Sequence, residues 1–192
     1  MSDMAVAYER HRVKLDEYHR MVEAGVFGAD TRLELIDGEI VDRVSPIYPP
    51  HASATSNLTT LLTLRLGDRA FIRCQSPVTL PNDSEPQPDI AVVSPEENQY
   101  WNRHPEVREI HLAVEVADSS LAQDQRIKIP LYARAEISEV WLVDLGNEVV
   151  RVYREPIDGE YTSVRIAQRG DSISVAAFPS EAFAVNDFLP PV

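Results

Sequence analysis

Two short runs of branched apolar residues constrain this chain more than anything else in it. Pro88-Asp89-Ile90-Ala91-Val92-Val93 and Ile110-His111-Leu112-Ala113-Val114-Glu115-Val116 are too short for helices and too rich in valine and isoleucine for loops. They read as strands buried in a sheet. Each carries one acid where an apolar residue belongs. A carboxylate rarely enters a core unless a cation or a metal accompanies it. Asp89 and Glu115 therefore need a partner, and the rest of the chain is read for one.

Strand alternation puts His111, Ala113 and Glu115 on one face of the second run, with Ile110, Leu112, Val114 and Val116 on the other. The next periodic segment, Gln125 to Ala135, reads as a helix. Asp124, Lys128 and Tyr132 recur every four residues and share one side of it. Asp124 can cap its start, and Lys128 can reach Glu115. Two neighbouring carboxylates repel when ionised, and a hard divalent cation such as Mg²⁺ relieves that repulsion through oxygen ligands. A lysine beside such an ion completes a set suited to metal-assisted phosphodiester hydrolysis. His111 lies about 13 Å along the strand from Glu115 and is read as structural.

Plainer readings of the same residues stand beside this one. Asp89 can cap a turn, Glu115 can pair with Arg126 or Lys128 without metal, and Lys128 can be a solvated helix lysine. Glu34 can sit on the polar face of a hairpin, and His51 can simply begin a helix.

Leu15 to Gly25 has the spacing of a short amphipathic helix ending at glycine. Asp37-Gly38 between alternating runs signals a hairpin in which Ile36 faces Glu39 and Glu34 faces Val41. Pro46 to Pro50 reads as a loop, and His51 to Leu66 as a helix with Leu58, Leu61, Leu62 and Leu66 along one side. Phe71–Gln75 and Pro77–Leu80 read as strands, 81–88 as an acidic loop and 96–108 as a surface excursion. Val140 to Val143 is a buried strand. Glu148–Arg154 and Tyr161–Ile166 form a hairpin about Asp158-Gly159. The expectation is one mixed α/β domain over residues 1–192, with 1–14 flexible and 171–192 a tail that holds a short strand and a closing loop.

Composition narrows the partners. The chain has 192 residues, 44% hydrophobic and 26% charged, enough for one core. Its single cysteine, Cys74, forbids an internal disulfide and reads as a buried inert thiol in a reducing, cytoplasmic setting. No stretch reaches the roughly 18 apolar residues of a membrane span. The net charge of −13 opposes phosphate binding by the chain as a whole, so nucleic acid as a partner implies weak affinity, a metal, or a local patch.

Pro88-Asp89 followed by Glu115-Val116-Ala117 resembles the PD-(D/E)XK nuclease superfamily. Leu33-Glu34-Leu35-Ile36-Asp37-Gly38-Glu39, His51, Asp89, Glu115, Asp124, Lys128, Tyr132 and Val140-Trp141-Leu142-Val143-Asp144 together resemble the Uma-two family of endonucleases, over about residues 15–154. The resemblance implies a restriction-endonuclease-like central sheet flanked by helices. It implies Asp89 and Glu115 as ligands of Mg²⁺ or Mn²⁺, Lys128 as the catalytic cation, and Glu34, His51 and Asp124 as further site residues. Its substrate would be nucleic acid, most simply DNA. Ala117 occupies the superfamily's usual lysine position, and the family pattern carries its lysine on the following helix, here Lys128. Two departures stand out: Ala117-Asp118-Ser119-Ser120 in place of the family's usual Leu-Ser-Pro-Ser run, and Pro130 inside the expected helix.

Two function classes follow: a metal-dependent endonuclease, or a catalytically silent acidic interaction or dimerisation module of the same fold. A single site cuts one strand, so a two-fold homodimer suits a duplex, with Val149, Val150, Val152 and Tyr153 offering a pairing edge. Methionine at 128 is expected to spare folding and metal binding while lowering cleavage.

Overall fold

The computed structural model describes residues 9–28, 31–42 and 48–191. Its centre is a six-stranded sheet of β3 (Phe71–Cys74), β4 (Ile90–Val93), β5 (Ile110–Ala117), β6 (Glu139–Asp144), β7 (Val149–Ile157) and β8 (Glu160–Gln168), paired in that order. Only β5 and β6 run parallel, and the chain between them crosses over through a helical segment. The three strands β4, β5 and β6 bury nearly every residue, which is why they read as apolar runs rather than alternating ones.

Each face of the sheet has its own core. On one side α2 (Pro49–Leu66) lays Ala54, Leu58, Leu62 and Leu66 against Val92, Leu112, Val114, Val116 and Trp141. On the other, Ile129, Leu131, Tyr132 and Ala135 pack against Ala91, Val93, Ala113 and Leu142. α1 (Leu15–Glu23) and the hairpin β1 (Leu33–Ile36)–β2 (Glu39–Asp42) complete this second side, where Ile36 enters the core. The hairpin has the expected register, Ile36 against Glu39 and Glu34 against Val41. Its turn residues Asp37 and Gly38 both have positive φ, +47° and +73°, as a two-residue hairpin loop requires. Among the described residues no helix is long and apolar enough to cross a membrane.

Several expectations need correction. Pro77–Leu80 is not a strand: it makes only isolated bridges, Thr79 with Glu106 and Leu80 with Ser84. Prolines at 77, 81, 86 and 88 remove the donors that a continuous ladder would need. Of the 46–50 loop, residues 46 and 47 lie outside the described residues, and Pro49 and Pro50 already form the first turn of α2. The tail is structural. β9 (Ser172–Ser174) pairs with β10 (Ala182–Ala184), and Ile173, Val175, Phe183 and Phe188 join the α2-side core. Cys74 is exposed, because it ends the edge strand β3.

Strict alternation also fails at one end of β5. Val92 pairs with Leu112 but Val93 pairs with Ile110, so a bulge inserts one residue. One extra residue reverses the faces beyond it. Ile110 therefore packs with Ala113, while His111 turns to the α2 side, edge-on to Phe178. His111 bonds Ser94 and takes no place near Glu115.

Candidate active site

The parallel crossover carries the crowded end of β5 towards three other elements. α3 (Leu121–Gln123) runs into a π-helical turn, Asp124–Lys128, and then into α4 (Ile129–Arg134). The backbone N–H of Ile129 reaches back to the Asp124 carbonyl, five residues away. Pro130, which has no N–H to give, sits in the first turn of α4 directly after this wide turn. The helix therefore restarts at the proline instead of breaking there. Asp124, Lys128 and Tyr132 all remain buried, as their four-residue spacing requires.

Lys128 is only 7% exposed, so the solvated reading fails. Its ammonium donates to Glu34 Oε1 at 2.8 Å and stands 3.4 Å from Glu115 Oε1. The Tyr132 hydroxyl donates to the same Glu115 oxygen at 2.6 Å. Burial first, and then the Glu115 charge, hold the Tyr132 phenol well above its ordinary pKa, so it stays a donor. The plain ion pair of Glu115 with Lys128 is thus present, whatever else the site binds. Methionine at 128 would leave two buried carboxylates facing each other, so the expectation that it spares folding needs revision.

Glu34 is 4% exposed and lies on no polar face. The chain just ahead of Asp89 fixes it there. Glu85 N–H bonds the Leu35 carbonyl at 2.7 Å, Gly38 N–H bonds the Asp83 carbonyl at 2.9 Å, and Gln87 N–H donates to Glu34 Oε1 at 3.0 Å. The 81–88 loop is therefore stitched to β1, which brings the hairpin acid to the helix lysine.

Asp89 precedes β4 by one residue, and carrying the Ile90–Val114 register one step further sets it across from Glu115. It is fully buried. Its Oδ2 accepts the Val116 N–H at 2.9 Å and meets His51 Nε2 at 3.1 Å. His51 is in the first turn of α2, so both cores contribute to the site. Asp124 is inside the helix rather than at its cap, and accepts the Ser120 hydroxyl at 2.6 Å.

The structure thus joins Glu34, Lys128, Glu115 and Tyr132 in one contact chain and Asp89 with His51 in another, with the β4–β5 register between them. Nothing in the sequence singles out Gln87 or the Val116 N–H. The first carries no signal beyond preceding Pro88, and a backbone donor carries none. Among the described residues no three His, Cys, Asp or Glu side chains are arranged to hold a metal ion. The donor chemistry nevertheless fits a hard divalent cation, since these acids offer carboxylate oxygen and their buried charge outweighs one ammonium.

Comparison with known proteins follows the same line. Residues 15–186 match the Uma2 family, described as "Putative restriction endonuclease". The chain superposes with a TM-score of 0.73 on the crystal structure of a "putative nuclease belonging to DUF820" from Anabaena variabilis. The two are 20% identical, over 92% of this chain and 97% of the other, a likeness of fold. No curated protein matches the chain.

Proposed function

The chain belongs to the Uma2 family, and from that premise we propose that it is a divalent-metal-dependent endonuclease acting on nucleic acid, with DNA as the first substrate to test. One observation carries the reading. Glu34, Asp89, Glu115 and Asp124 are all buried at this end of the sheet, and Lys128 is the one buried lysine or arginine among the described residues. Carboxylates gathered at one end of a sheet offer the oxygen ligands that a hard divalent cation takes.

Asp89 and Glu115 would hold the ion, Mg²⁺ or Mn²⁺, with Glu34 linked to Glu115 through the Lys128 ammonium. When bound, such an ion neutralises phosphate charge and makes water a better nucleophile. The chain's own residues do the rest. Tyr132 fixes one Glu115 oxygen, and Val116 N–H with His51 fixes one Asp89 oxygen. Lys128 would supply the positive charge of the site, the role that Ala117 cannot fill.

A two-fold dimer belongs to the same proposal. Val149, Val150, Val152 and Tyr153 cannot supply its edge, because β7 is flanked by β6 and β8. β8 is one of the sheet's two edges, and on it Val164 and Ile166 are exposed.

Calorimetric titration of Mn²⁺ into the wild type and Asp89→Ala tests the metal reading. The expected result is one site, lost in the variant together with nicking of supercoiled DNA. A wild type that takes up no Mn²⁺ would instead favour the silent acidic module.

A further inference from the structure

A groove of about 430 Å³ runs beside the acid cluster, between α2 and the end of β3. Thr55, Ser56, Thr59, Thr60, Cys74 and Gln75 line it, and none of its lining residues is charged. In a chain of net charge −13 an uncharged, hydroxyl-bearing channel whose Gln75 touches Asp89 is unusual ground. Two joints connect it to Asp89. Gln75 directs its side-chain nitrogen at Asp89 Oδ1, 3.5 Å away, and its backbone N–H bonds the Asp89 carbonyl at 3.1 Å. His51, which meets the other Asp89 oxygen, stands one helical turn before Thr55, so His51, Thr55 and Thr59 form a single stripe along α2.

Thr55 supplies an independent sign of a ligand. It is 7% exposed, and its hydroxyl has no hydrogen-bond partner among the described residues. Its neighbour Thr59 differs, bonding the Thr55 carbonyl at 2.7 Å with its hydroxyl 2.9 Å from Cys74 Sγ. A hydroxyl denied both water and protein costs about 1–3 kcal/mol. Serine and threonine hydroxyls commonly bind the phosphate oxygens that set a nucleic acid's register, without reading its bases.

Resting on the nuclease reading, we infer that this groove seats a backbone phosphate of the substrate strand beside the one that is cut, held by the Thr55 and Ser56 hydroxyls. Neutral donors admit that phosphate where the acids of the site would repel it. Because no lysine or arginine lines the groove, this contact releases few counterions and responds weakly to salt.

Fluorescence anisotropy of a short labelled single-stranded DNA, with the full chain and Ca²⁺ in place of Mg²⁺ or Mn²⁺ to offset the acids without supporting cleavage, tests the inference. Ser56 is exposed and tolerates either charge. Ser56→Lys should tighten binding about fivefold and steepen the salt dependence by about one counterion, and Ser56→Glu should weaken binding about as much. Leu64→Lys, on the same helix at a position 76% exposed, controls for charge at a distance and should change little. No shift at position 56 in a protein that does bind, or an equal shift from position 64, overturns the groove alone. A wild type that binds no DNA overturns the nuclease reading and this inference with it.

Discussion

Lys128 is the residue on which the site's stability and its chemistry meet. Its ammonium lies between Glu34 and Glu115, with a side chain only 9% exposed. Removing one member of a buried ion pair typically costs about 3–5 kcal/mol, because the remaining charge is stranded. Lys128→Met should therefore lower the urea midpoint substantially, and Glu34→Gln in the same chain should recover part of the loss. A Lys128→Met protein as stable as the wild type would show that the pair contributes nothing to folding. Any loss of cleavage in the double variant has to be compared with the Glu34→Gln single variant, which keeps Lys128. The four-residue spacing with Asp124 and Tyr132 makes Lys128 legible in the sequence alone. Its partner Glu34 is harder to assign, since hairpin alternation gives two faces and does not say which one is covered.

Among the elements, the β1–β2 hairpin does most to place that partner. Gly38 has φ +73°, and a Cβ there would stand 3.0 Å from Arg12 Cβ and 3.2 Å from the Val13 carbonyl. The positive φ alone costs a non-glycine residue about 1–2 kcal/mol. Gly38→Ala should lower stability by at least that much in chemical denaturation, and it should weaken Mn²⁺ uptake if Glu34 shares the ion. An unchanged midpoint would mean that the turn relaxes freely and that the hairpin is loosely held. The turn itself is plain in the sequence, because Asp-Gly between alternating runs has few other solutions. The π-helical turn ahead of Pro130 is not, because a proline inside a helical pattern signals a break or a kink, and only the restart of hydrogen bonding shows how the helix continues.

For the whole molecule the open question is assembly. β8 is a nine-residue edge strand carrying exposed Val164 and Ile166, and edges of this kind are usually blocked or paired. Sedimentation velocity at tens of micromolar should show a dimer, and Val164→Lys should return it to monomer. A monomer throughout that range would remove the two-fold model and leave a nicking enzyme as the form to assay. The sequence by itself determined the central strands, the crossover helix and both hairpins, and it marked Asp89 and Glu115 as acids inside apolar strands, because periodicity and apolar runs are written locally into the chain. The tertiary structure alone decided the bulge that turns His111 away, the tail that became core, the stitching of the 81–88 loop to β1 and the meeting of Glu34 with Lys128 across 94 positions. Those depend on which surfaces meet after the chain has folded back on itself, and no window of neighbouring residues contains that information.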